Sequence, residues 1–187
     1  VQSDTSGMNK ISDLAGKIRS IGFRCTQCGT CCRCGETDSN LVMVFPDEIR
    51  SIISAYGRPW DSVAQPYPET IDHQNGARYT LGWCLCREND HCHFLKENLC
   101  AIYGQRPWIC RTYPFFLDGN DLGISQCGGL GQVISEQDAT MIAFNLLQRR
   151  RVEDEEEQKV RQVLQHIQIP IGAGVVIDSE GVRVFDG

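Results

Sequence analysis

Apolar residues recur at helical spacing near the start of the chain. Ile11, Leu14, Ala15, Ile18 and Ile21 fall on one face, and Gly22 closes the run. The pattern predicts a short amphipathic helix that delivers the chain to Phe23. LVMVF at 41–45 reads as a buried strand, and PDEIRSIISAYG at 46–57 reads as a helix, with Pro and two acids at its start and Gly57 at its end. Pro59, Pro66 and Pro68 mark a loop over 58–70. Asn75-Gly76 between strand-like flanks predicts a hairpin within 70–83. From 84 to 131 periodicity fades while Cys, Pro and Gly crowd together, the mark of a segment ordered by its ligands. Ser135 and Asp138 form a capping-box-like start for a helix carrying Met141, Ile142 and Leu146. The charge run RRRVEDEEEQK at 149–159 is expected to be a solvated helix face or a helix–helix turn. Val160, Val163, Leu164 and Ile167 resume helical spacing until Pro170, and the ending predicts a hairpin around Ser179-Glu180-Gly181. The expected fold class is α+β. A small irregular cysteine-rich metal-cluster domain with short helices and hairpins would occupy 1–131, and a helical and hairpin C-terminal segment 132–187.

The 187 residues, 41% of them hydrophobic, suffice for a core, so cysteines need not compensate for a tiny scaffold. Eighteen basic against 24 acidic residues give a formal charge of −6, which argues against nucleic acid or an anionic membrane surface as partner. No apolar run approaches the roughly 20 residues of a membrane span, so direct membrane insertion is not expected. The opening stretch lacks the charged-then-apolar layout of a signal peptide. Eleven cysteines, an odd number, without a visible export signal predict reduced thiols in a cytoplasm.

The stretch CTQCGTCCRC, residues 25–34, holds five of those cysteines. Tetrahedral zinc favours two compact C-x2-C pairs, but Cys92, Cys100, Cys110 and Cys127 are spread through separate turns. Cys25, Cys28 and Cys31 instead have the C-x2-C-x2-C spacing with which thiolates wrap successive corners of a 4Fe–4S cube. Cys34 follows after two residues and precedes Gly35, so agreement with a ferredoxin run is partial. Iron–sulfur is favoured and zinc stays open. Cys31 and Cys32 are adjacent, and in an extended backbone they would point to opposite sides and serve two different centres.

FRCTQCGTCC, CHFL, CAIYGQRPWICRTYPFF and CGGLG, in that order, resemble the YkgJ-type C-x2-C-x2-C-C cysteine-cluster family of zinc- or iron-chelating proteins. The resemblance covers roughly residues 23–131. It implies metal ligation by Cys25, Cys28, Cys31, Cys32, Cys92, Cys100, Cys110 and Cys127. The same module is similar to that of flagellin lysine N-methylases, which implies a 4Fe–4S cluster and S-adenosylmethionine chemistry, although this chain is much shorter. Eight motif cysteines match two four-thiolate centres. Cys34, Cys84 and Cys86 lie outside the usual pattern. They could nearly complete a third centre with an open corner, or be small buried residues or spare thiols.

Arg106 and Arg111 bracket Pro107-Trp108-Ile109-Cys110 and are candidate cofactor-binding residues, because a buried four-thiolate cluster is an anion that needs cationic or amide partners. Tyr103, Trp108, Tyr113, Phe115 and Phe116 are expected as dry packing around the centres. Gly128, Gly129 and Gly131 read as backbone amides approaching sulfur. His91 and His93 read as surface or hydrogen-bonding residues of a tight turn, the alternative being that one of them completes a centre. There is no Ser/His/Asp set and no phosphate-cradling loop. The leading expectation is an iron–sulfur protein serving as a redox-responsive or electron-carrying accessory of a larger complex, with residues from about 170 onward touching a partner protein. The alternatives are a zinc-binding structural or interaction module, and an enzyme at an open iron site, with methyl transfer implied by the family.

Overall fold

The computed structural model describes residues 4–33 and 40–185. Its helices are α1 (Asp4–Ile21), α2 (Pro46–Tyr56), α3 (Trp108–Thr112) and α4 (Glu136–His166). Its strands are β1 (Met43–Val44), β2 (Ala64–Pro66), β3 (Ile71–Asp72), β4 (Arg78–Leu81), β5 (Trp83–Leu85), β6 (Arg87–Glu88), β7 (His91–Cys92), β8 (Leu95–Lys96), β9 (Leu99–Cys100), β10 (Phe115–Asp118), β11 (Asp121–Ile124), β12 (Gly174–Asp178) and β13 (Gly181–Val184). The fold is α+β, with short strands in small sheets, as the sequence predicts.

Two apolar cores organise it. Leu14, Ala15 and Ile18 of α1 bury against Ala139, Ala143 and Leu146 of α4 and against Phe115. The second core gathers Ile49 and Ile52 of α2 with Val44, Trp83, Leu85, Phe94, Ile102 and Val176. Gly22 and Gly57, with φ of 75° and 62°, turn the chain out of α1 and α2 in the left-handed conformation that glycine adopts without strain. α1 begins at Asp4, before the apolar face that starts at Ile11, and residues 7–10, Met8 among them, are exposed. LVMVF yields only the two-residue β1 at the edge of the β1-β5-β2 sheet, with Val44 buried and Met43 exposed. Between 84 and 131 the chain makes three tight hairpins, β6–β7, β8–β9 and β10–β11. Asn89 and Asp90 take positive φ at the first of these turns, the twist that a two-residue hairpin favours.

α4 is unbroken through the charge run. Ser135 caps it, its hydroxyl oxygen accepting from the Asp138 amide at 3.0 Å. The run is only in part a solvated face. Arg149 pairs with Glu153 at 2.6 Å and donates to the Thr112 hydroxyl of α3 at 3.1 Å. Arg150 donates to the Gly119 carbonyl in the β10–β11 turn at 2.9 Å, and Glu156 is buried beside Lys159.

The C-terminal hairpin forms as predicted, and it is built into a sheet with strands of the cysteine-rich region. β12 runs parallel to β4 inside the sheet β13-β12-β4-β3. Val175, Val176 and Ile177 are fully buried. Three consecutive apolar residues signal a strand covered on both faces, where simple alternation would leave one face wet. The buried Trp83 indole N–H donates to the buried Asp178 carboxylate at 2.7 Å, tying this strand to β5. Asp178→Ala should therefore strand the indole N–H and lower unfolding stability by about 1–3 kcal/mol. Denaturant midpoints compared with Asp178→Asn, which keeps an acceptor, measure this; an unchanged midpoint in Asp178→Ala would show that the hairpin is not held there.

Candidate metal centre

The cysteine-rich segment 24–33 is stretched between two anchors. At one end Phe23 bridges to Leu130, and the Arg24 amide donates to the Gly129 carbonyl at 2.9 Å. At the other, Arg33 bridges to His91, and its guanidinium donates to the Asn98 side chain at 3.0 Å and the Glu97 carbonyl at 3.3 Å. Gln27 and Gly29 take left-handed φ of 54° and 72°, and a Cβ on Gly29 would lie 2.8 Å from the Arg33 side chain. The chain then closes into a 3-10 turn over Thr30–Cys32, with the Cys32 amide donating to the Gly29 carbonyl at 3.0 Å.

The remaining motif thiols sit on neighbouring elements. Cys92 lies on β7, Cys100 on β9 and Cys110 inside α3, while Cys127 opens the turn after β11. α3 is fixed by Glu48, which the sequence reading did not single out. Its partly buried carboxylate accepts from the Trp108 amide at 2.7 Å and from the Phe45 amide at 3.0 Å, joining the starts of α2 and α3. Burial raises the Glu48 pKa, while the two amides and the Arg111 charge oppose the rise. An acid at the third position of a helix was the available signal, although only for the local bond to Phe45.

All eight motif cysteines line one open cavity of about 1600 Å³. Its walls draw on both cores, with Ile102 and Leu85 from one and Phe23, Leu130 and Ile142 from the other. Cys25, Cys28 and Cys31 are exposed, and Cys32, Cys92, Cys100, Cys110 and Cys127 are partly buried. The fully buried Cys84 faces the Pro66 carbonyl at 3.8 Å, and Cys86 faces that of Asp61 at 3.3 Å; neither lines the cavity. Cys34 lies outside the described residues. His91 is exposed and His93 stands 3.5 Å from Glu88, both in the β6–β7 hairpin region and away from the cavity walls.

The thiols influence one another in two banks. Burial pushes the Cys110 thiol up, and charge on Cys92, Cys100 and Cys31 adds to the effect. Burial likewise raises Cys127; the Gly129 amide opposes the rise, and charge on Cys28, Cys25 and Cys31 adds to it. Cys31 belongs to both surroundings; its hydrogen bond with Cys32 is the main cause that raises it, and charge on Cys32 and Cys28 adds to the effect. Cys28 is the exception, held down to about 7 chiefly by the Thr30 hydroxyl, which donates to its sulfur at 3.3 Å. The Cys31 and Cys32 sulfurs stand 3.9 Å apart. That overturns the expectation of opposite side chains, because Gly29 turns the backbone into a 3-10 turn where an extended strand was assumed. Among the described residues, no three His, Cys, Asp or Glu side chains converge as ligands of a single ion.

Arg106 and Arg111 both line the cavity. Arg106 stacks 3.5 Å from the Tyr103 ring centre, and its charge opposes the burial-driven rise of Cys100 and Cys110. Arg111 donates to the Arg106 carbonyl and acts on Glu48, so it braces the turn before α3. The aromatic residues divide. Phe115 is buried in the α1–α4 core, while Tyr103 and Phe116 are exposed.

Gly129 allows the closest approach. The Cys127 sulfur accepts its amide at 3.4 Å, and a Cβ here would lie 2.1 Å from the Arg24 carbonyl oxygen. Gly129→Ala should separate Cys127 from the Cys25 loop, with a destabilisation of roughly 1–3 kcal/mol and reduced metal content. Gly128→Ala, where a Cβ meets nothing within 4 Å, serves as the control. Equal stability and metal content in both variants would refute this role for Gly129.

No curated protein and no solved structure matches the chain. A family model does: CxxCxxCC, described as "Putative zinc- or iron-chelating domain", matches residues 24–128, a span that holds all eight cavity thiols. The chain belongs to the CxxCxxCC family of zinc- or iron-chelating domains.

Proposed function

We propose that this is an iron–sulfur protein whose eight cavity thiols hold two 4Fe–4S clusters, and that it serves a larger complex as an electron-carrying or redox-responsive accessory. The observation that carries the reading is the gathering of eight thiols from separate chain regions around one cavity. The donor set is all sulfur, which suits iron–sulfur clusters and zinc alike. Spacing favours the clusters. Ligands of one zinc, with bonds of about 2.3 Å, crowd their sulfurs to within about 4 Å of each other. Cys25, Cys28 and Cys31 instead carry the C-x2-C-x2-C spacing with which thiolates wrap successive corners of a cubane.

Cys25, Cys28 and Cys127 would hold one cluster and Cys92, Cys100 and Cys110 the other, with Cys31 and Cys32 supplying one ligand to each. The anchors of segment 24–33 support that division, since its start is tied beside Cys127 and its end beside Cys92. Such clusters exchange single electrons. Arg106 would lower the cost of their negative charge, and the Gly129 amide already reaches the Cys127 sulfur. Exposed apolar side chains at the cavity, Leu99, Tyr103, Val133 and Met141, give an accessory protein a surface to bury. No helix among the described residues is long and apolar enough to cross a membrane.

One observation favours zinc, the 3.9 Å separation of the Cys31 and Cys32 sulfurs, which suits two ligands of a single ion. Anaerobic purification decides. The protein should be brown, with a broad absorption band near about 400 nm and about eight irons with matching sulfide. Colourless protein with stoichiometric zinc and no sulfide would establish the zinc reading. Cys31→Ser and Cys32→Ser should each remove a different cluster's paramagnetic signal, with about half of the iron retained in each case. Loss of the same signal in both variants would place the adjacent pair on one centre.

A further inference from the structure

The two banks of thiols are built differently. Cys92 and Cys100 pack against the core around Ile49 and Phe94, each on a hairpin strand. Cys110 lies in a helix held at both ends, by Glu48 at the Trp108 amide and by Arg149 at the Thr112 hydroxyl. Cys25 and Cys28 are exposed and lie in backbone that belongs to no helix or strand. Their loop is tied down before Cys25, at Arg24, and after Cys28, by the 3-10 turn. The Thr30 hydroxyl, 3.3 Å from the Cys28 sulfur, is placed to donate to that sulfur as a departing thiolate.

Building on the two-cluster reading, we propose that the centres are unequal. The outer one, on Cys25, Cys28 and Cys127, exchanges ligands with incoming thiols, and the inner one, on Cys92, Cys100 and Cys110, stays in place. Exchange is a substitution. The sulfur of the incoming thiol binds iron as the Cys28 sulfur leaves, and the proton released by the incoming thiol passes to the Cys28 thiolate. One iron–sulfur bond forms as another breaks, and no electron changes hands. Repeated at Cys25, at Cys127 and at the ligand from the Cys31–Cys32 pair, the same exchange would hand iron and sulfide on, to a small thiol or to the cysteines of an acceptor protein. Access governs such reactions, and the outer bank holds two exposed thiols, Cys25 and Cys28, where the inner bank's three are partly buried.

The test uses anaerobic holoprotein mixed with glutathione in one arm and with an iron-free ferredoxin in the other, with iron transfer followed by absorption and by metal analysis. Transfer should be biphasic in at least one arm. The fast phase should carry about half of the iron and run roughly tenfold faster than the slow one. The arm in which it occurs identifies the source of the thiol. Cys28→Ser should abolish the fast phase and leave the slow phase unchanged. Thr30→Val, which keeps every cysteine, should slow the fast phase several-fold and spare the other. Release in a single phase, transfer in neither arm, or an effect of Thr30→Val on the slow phase overturns the inequality while leaving the two clusters standing. Protein isolated with zinc and no iron refutes the two-cluster reading itself, and the proposal with it.

Discussion

Eight sulfur atoms that repel one another once ionised must be held around a single cavity, and most of this structure answers to that demand. Burial raises several of the thiols, and charge on neighbouring thiols raises them further. Without metal, Cys110 and Cys127 therefore favour protonated sulfur. Metal binding reverses the balance by placing positive charge among the thiolates, with release of protons. The protein prepares for that state unevenly, with an arginine near one bank and a glycine amide and a threonine hydroxyl at the other.

Neither bank stands on the cavity alone. One hangs from the core between α1 and α4, and the other from the core beneath α2 and β5. The segment carrying Cys25 to Cys32 crosses from the first to the second, which explains why both of its ends are pinned by backbone pairing and its middle is left irregular. Glu48 and Arg149 are structural to the site without touching metal. Each reaches α3 from a different direction and fixes where Cys110 enters the cavity.

Local chemistry was legible in the sequence. The apolar face of α1, the Pro46 start and Gly57 end of α2, the Asn75-Gly76 hairpin and the Ser135 cap follow from spacing and turn residues, and the structure has each of them. So was the cysteine set, whose order along the chain carries the family. What escaped depends on partners distant in sequence. The parallel pairing of β12 with β4 joins residues nearly a hundred positions apart, and no local pattern announces it. Arg149 read as one charge in a run because its partner Thr112 lies on another helix. The geometry of Cys31 and Cys32 was misread for a local reason, since a left-handed Gly29 sets the turn that follows it.

The length of α4 has a consequence for what happens between fillings. Its 31 residues span about 46 Å, at 1.5 Å per residue, and it touches α1 and α3 as well as β12. Both cores are bolted to the same rod, so the distance between the two sulfur banks is set by a continuous helix as well as by whatever lies between them. An emptied cavity need not collapse into a random search for its ligands. The scaffold already gathers all eight thiols around one cavity, which lowers the ordering cost of binding.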